Sequence, residues 1–197
     1  MQQEPTAGAR ARGRARDPAI DVAVLEAAIK ILALEGVAGT SMDRVAAEAG
    51  VSKVTVYTRF PSKSALIGGA LAHLQVDHVP ERTGDVRADL AALLAAMREQ
   101  YDEVGGMSII GSCLAEEPRS GELLDLVRRS TLLPRRTHFA RVLRAGVEHG
   151  QLRPGLDVER ATSMLVGVLY ADHLAGIPAG PGWAVSVVDD VLRGIGA

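Results

Sequence analysis

Between Thr40 and Lys63 the chain reads TSMDRVAAEAGVSKVTVYTRFPSK, and its polar side chains are of types that can read a duplex. Lys53 can donate to the O6 and N7 atoms of guanine, while the methyl groups of Val54, Thr55 and Thr58 can pack on the thymine methyl. Tyr57 and the hydroxyls of Ser41, Ser52 and Thr58 can bond phosphate oxygens, as can Lys63. Such contacts fix position without carrying sequence information. A solvated helix surface is the competing reading of the same residues.

That chemistry needs two short helices crossing at a steep angle, and the spacing supplies them. Ala46 must be small because the second helix crosses close to it, and Gly50 must tolerate a positive φ in the turn. Val45, Val51, Val56 and Phe60 form the apolar seam between the pair. These offsets predict a helix-turn-helix. Asp17-Pro18 predicts the start of a preceding helix, with Val24, Ala28, Ile31 and Leu32 on its apolar face and Gly36 as its stop. Ser41 or Thr40 caps the second helix, Ser52 the third, and a fourth helix is expected from Ser62 to about His78.

The rest of the chain reads as further helices over about 85–104, 107–117, 119–149, 157–176 and 183–194. Pro134 is expected to kink or split the third of these. No stretch alternates with period two, so the expected fold is all-α. The expected organisation is an arm over 1–16, a helix-turn-helix domain over 17–63, and a second helical domain over 64–197. Aromatics make up only 3% of the 197 residues, so the core must be aliphatic. Net charge is −2, yet residues 10–63 carry nine Lys/Arg against six Asp/Glu. A basic head on an acidic body suits a nucleic-acid partner.

The run T-S-x3-V-A-x2-A-G-V-S-x3-V-Y-x2-F-x-S-K-x2-L, from Thr40 to Leu66, resembles the TetR family of bacterial regulators. The preceding helix fits as well, so the resemblance covers about residues 16–66. It implies an N-terminal three-helix head that binds operator DNA and a helical C-terminal domain that dimerises and binds an effector. The segments LAEEPRSGELLDLVRR, VLRAGVEHGQLRPGLDVERATSMLVGVLY and VVDDVLRGIG are similar to an actinobacterial-type subgroup. By position, the resemblance implies DNA contacts at Ser41, Arg44, Lys53, Val54, Thr55, Tyr57 and Lys63. Asp43 stands where some members place a cation.

Other features are weaker. Arg10, Arg12, Arg14 and Arg16 alternate with small residues, as in an arm that follows phosphates or enters a minor groove; a solubilising tail is the alternative. His73 and His78 are not spaced to share a helix face, so neither a metal nor a cofactor is expected. Cys113, the single cysteine, reads as a small buried hydrophobe in a reducing compartment rather than a redox sensor. Met97, Tyr101, Met107, Ile110, Leu114, Phe139, Met164, Val168 and Trp183 are candidates for lining a cavity that takes a small, largely apolar effector, or else for the ordinary core. The last two helices, apolar on more than one side, are expected to pair with their copies in a homodimer.

The polar, Arg-rich start is not expected to act as a signal peptide, and no stretch is expected to span a membrane, so a cytoplasmic location follows. The expected function is a repressor released from a palindromic operator by a small ligand. No nucleotide loop, catalytic triad or metal-ligand cluster favours the rival reading, a small helical ligand-binding enzyme. An architectural DNA-binding protein without effector would need a more basic body.

Overall fold

The computed structural model describes residues 17–74, 79–118 and 121–195, and among them every regular element is a helix. Helix α1 (Pro18–Gly39) begins where the Asp17 carboxylate accepts the Ala19 N–H at 3.0 Å. Gly36 breaks its geometry at φ 67°, and Thr40 closes the end with its N–H and its hydroxyl on the Gly36 carbonyl. Thr40 therefore belongs to the end of α1, and Ser41 caps α2 (Met42–Glu48) by accepting the Arg44 N–H. Gly50 turns the chain at φ 66°. Ser52 then caps α3 (Lys53–Arg59), and Ser62 caps α4 (Lys63–His73). The fourth helix is described as far as His73, and Leu74 leaves helical geometry with its N–H still on the Ala70 carbonyl. Residues 75–78 lie outside the described residues, as does the Arg10–Arg16 arm.

Helices α1, α2, α3 and α4 enclose one core, in which Val24, Ala28, Val45, Ala46, Val56, Leu66 and Ala70 are buried. Val51 and Phe60 pack against it half-buried, so the expected seam holds the α2–α3 pair together. The opposite faces of α1 and α4 serve a second core, where Leu32, Val37, Ile67 and Leu71 meet Ile109, Cys113, Leu123 and Val127. Both connecting helices are thus apolar on two sides, as a helix must be when it is packed from both.

The body consists of α5 (Val86–Val104), α6 (Gly106–Glu116), α7 (Glu122–Val127), α8 (Leu133–Glu148), α9 (Val158–Ala175) and α10 (Trp183–Ile195). Between α7 and α8 the backbone widens into a π-turn over Arg128–Leu132, where Leu133 N–H donates to the Arg128 carbonyl. Pro134 follows at once in the first turn of α8. The widened turn accommodates the proline, whose ring and missing N–H would otherwise break the ladder. The helix expected over 119–149 is thus widened there rather than split, staying helical from Glu122 to Glu148. A third core joins α5, α8, α9 and α10 through Leu90, Leu94, Phe139, Leu143, Leu165 and Val188. A paired bridge from Arg87 to Asp189, at 2.5 and 2.8 Å, ties α5 to α10.

Candidate nucleic-acid interface and cavity

On α3, Val56 is fully buried while Lys53, Val54, Tyr57 and Thr58 are exposed and Thr55 is half-exposed. Val54 is 74% exposed and Tyr57 53%, although both are large and apolar over most of their surface. Among the described residues of the head nothing covers them, which is the state of residues kept for a partner. Thr58 donates its hydroxyl to the Val54 carbonyl at 2.7 Å, leaving its methyl as the outward chemistry. Ser41 and Ser52 are committed as helix caps, and the Ser52 hydroxyl also lies 2.8 Å from that of Thr55. Each hydroxyl oxygen already accepts one backbone N–H, so its remaining capacity for a phosphate is as a donor.

The cations of the head are tied down by carboxylates, a feature the sequence reading did not foresee. Lys53 Nζ lies 2.5 Å from Asp43 across the α2–α3 junction. Arg44 forms a two-pronged pair with Glu35 of α1. Lys30 pairs with Glu48 at 2.5 Å, and the largely buried Arg59 pairs with Asp21 at 2.5 Å, holding α3 on α1. Among the described residues of the head, Lys63 is the cation that forms no ion pair, and it sits half-buried at the start of α4. Residues 17–63 carry five Lys/Arg against six Asp/Glu, so the positive excess over 10–63 comes wholly from Arg10, Arg12, Arg14 and Arg16.

In the body, a cavity of about 500 Å³ opens between α6, the π-turn, α8 and α9. Met107, Ile110 and Leu114 line it, together with Leu124, Leu132, Val166, Tyr170, His173 and Leu174. Arg128, Arg135 and Arg136 complete the wall. Tyr101 and Ile110 line a small adjoining cleft of about 30 Å³, shared with Arg135. The remaining candidates lie elsewhere. Met97 and Phe139 are buried in the core of α5, α8, α9 and α10. Trp183 flanks a separate depression against α5, its indole N–H donating to Asp172 at 2.8 Å. Met164 is exposed on α9, and Val168 packs on the core without lining that cavity.

Sequence reasoning did not single out Leu124, Leu132, Arg135 or Tyr170. Arg135 had a readable signal, since it shares an apolar stripe of α8 with Phe139, Val142 and Leu143. Burial pushes the Cys113 thiol pKa up, which keeps the group protonated and unreactive.

A capped helical hairpin with an exposed second helix, joined to a helical body containing a cavity, defines the class of helix-turn-helix regulators. Residues 24–70 match the family described as bacterial regulatory proteins, tetR family, and residues 80–191 match the tetracyclin repressor-like C-terminal domain. The chain belongs to the TetR family of DNA-binding transcriptional regulators.

The DNA-binding transcriptional repressor TetR of Mycobacteroides abscessus is 30% identical over 92% of this chain and 94% of its own length. The crystal structure of the TetR family transcription regulator SCO0332 is 31% identical, with a TM-score of 0.65 over 90% of this chain and 99% of its own. The structure of a SmeT–triclosan complex shares the fold at a TM-score of 0.66 and 21% identity, over 91% of this chain and 92% of its own. Among the described residues no helix is long and apolar enough to cross a membrane.

Proposed function

We propose that this chain is a homodimeric repressor that holds a palindromic operator through α3 and releases it when a small ligand fills the cavity between α6, α8 and α9. The observation that carries the reading is the uncovered α3 face, where Lys53, Val54 and Tyr57 stand out from a helix otherwise locked by Val56 and Arg59. Lys53 and the Val54, Thr55 and Thr58 methyls read bases; Ser41, Arg44, Ser52, Tyr57 and Lys63 hold phosphates. Occluding a promoter requires no contacts beyond these.

Dimerisation is assigned to α9 and α10. On α9, Met164, Ala171 and Leu174 are exposed at helical spacing, forming an apolar strip, and on α10 Val185 is partly uncovered. Two copies related by a twofold would cover it and place the two α3 helices in successive major grooves, about 34 Å apart. Ligand control is supported by the cavity's size and by its place: α7 and the π-turn form part of its wall and also pack on α4. SmeT, which shares the fold, has been solved in complex with a small molecule, triclosan, and a small-ligand response of this chain is proposed in keeping with that.

A ligand need not block the DNA face. It need only prefer a dimer whose heads are wrongly spaced, and a hundredfold preference is worth about 2.7 kcal/mol. Selection of bound sequences from random DNA, followed by sedimentation of the complex, tests the reading. An inverted repeat bound by two chains is expected; a site without dyad symmetry, bound by a monomer, would overturn it.

A further inference from the structure

We infer that the cavity takes an anionic amphiphile, a carboxylate or sulfonate on an apolar body, with Arg135 as its counter-charge; this rests on reading that cavity as the effector site. Among the described residues, the cavity wall carries three arginines and no acid. Two of the three are already answered: Arg128 by Asp125 and Glu117, Arg136 by Glu159 and Ser163. Arg135 is not. It is only 4% exposed, and among the described residues no carboxylate lies within ion-pair distance of it.

Its direct partners are neutral. One nitrogen, Nη2, donates to the Gln100 side chain, and the guanidinium lies over the Tyr101 ring at 4.6 Å. The Tyr101 hydroxyl is itself engaged, 2.7 Å from that of Tyr170. Among the described residues, Nε and Nη1 have no partner at hydrogen-bonding geometry. Burial lowers the Arg135 pKa, and His138 is likewise pushed down by burial and by Arg141 and Arg135. An arginine nevertheless stays charged, because its ordinary pKa is so far above neutrality.

A buried cation with two unused donors is costly to keep, and a stacked aromatic ring offsets only part of that cost. A methionine or leucine at this point of the apolar stripe would pack without it. An anion entering the cavity beside Arg135 would accept the idle donors in the planar, two-pronged geometry a guanidinium favours. The apolar residues Met107, Leu114, Leu124 and Leu132 then cover the rest of the molecule. A purely apolar ligand would fill the same space and leave the charge unanswered.

The test uses the full chain and two fluorescent probes that share one body, 1-anilinonaphthalene-8-sulfonate and the uncharged N-phenyl-1-naphthylamine. The sulfonate should bind at least about tenfold more tightly, and Arg135→Met should cost it about that factor while moving the neutral probe by less than about twofold. Arg135→Lys, which keeps a charge but loses the planar fork, should fall between. Leu132→Trp narrows the cavity without changing charge and should weaken both probes.

Equal affinities for the two probes, unchanged by Arg135→Met, would overturn the anion assignment and leave the cavity reading standing. If Leu132→Trp weakened neither probe, the cavity would not be the binding site and both readings would fall. Circular dichroism checks folding. Should Arg135→Met not fold, the wild-type preference for the sulfonate and its reduction in Arg135→Lys decide.

Discussion

At 2.5 Å from the Asp43 carboxylate, the Lys53 ammonium would have to exchange one acceptor for another to make the guanine contact proposed for it. Both side chains are more than half exposed, and exposed pairs of this kind are worth roughly 0–1 kcal/mol, so the exchange is easily driven by a good base contact but not by a poor one. Lys53→Ala should relax preference at one position of each half-site, by about 1–3 kcal/mol there, in a binding selection. Asp43→Asn should do the reverse of strengthening the specific complex alone: affinity for every duplex rises, and the ratio of operator to random DNA falls in competition gel shifts. A Lys53→Ala variant that weakens all DNA equally would show that Lys53 reads no base. The outward face of α3 was legible in the sequence, because Val45, Ala46 and Val56 fix which side turns inward. The carboxylate partners were not, since Asp43–Lys53 and Glu35–Arg44 depend on how α1, α2 and α3 cross, which no spacing within one helix reveals.

Helix ends followed local rules closely enough to be read in advance, with Asp17, Ser41, Ser52 and Ser62 as caps and Gly36 and Gly50 as stops. Their side chains bond amides two or three residues away, so no distant contact was needed to find them. The π-turn was not legible, because proline announces a break without saying whether the chain bends, splits or widens. Gly36 offers a test at this scale. Its φ is 67°, and a Cβ placed there would sit 3.0 Å from the Ser112 Cβ on α6. Gly36→Ala should therefore lower stability by about 1–2 kcal/mol in urea unfolding, more than a surface Gly→Ala change.

The start of α5 offers another. Buried Asp89 accepts the Thr83 N–H and hydroxyl, each at 2.7 Å, and the Gly84 N–H at 3.2 Å, pinning the preceding loop. Burial alone would raise its pKa, but these bonds and Arg82 outweigh burial and hold it below the usual value. A carboxyl lowered on folding stabilises above its unfolded value of about 3.9, and that stability fades as pH falls through the lower folded value. Asp89→Asn should lower the neutral-pH melting temperature and flatten its decline below about pH 4. An unchanged acid limb would show that another carboxylate governs it.

For the whole molecule, the distribution of charge separates holding DNA from reading it. With residues 17–63 carrying one more acid than base, long-range attraction must come from the four arginines ahead of α1. Deleting residues 1–16 should reduce the slope of log affinity against log salt by up to roughly 3–4 for each chain bound, since each neutralised phosphate contributes about 0.9. The enriched operator sequence should stay the same; a changed sequence would mean that the arm reads bases. The family and its helical architecture were legible because the head motif is local and ungapped. The cavity was legible only in part, because its walls come from four separate segments of the body. The two-sided packing of α1 and α4 has a consequence for how such chains can be recombined. Leu32 and Val37 leave the head on one side, Ile67 and Leu71 on another, and all four sit against α6 and α7. A head grafted onto a foreign body would carry half of a joint whose other half it had never met, so exchange of reading heads between relatives requires that the matching faces of α6 and α7 travel with them.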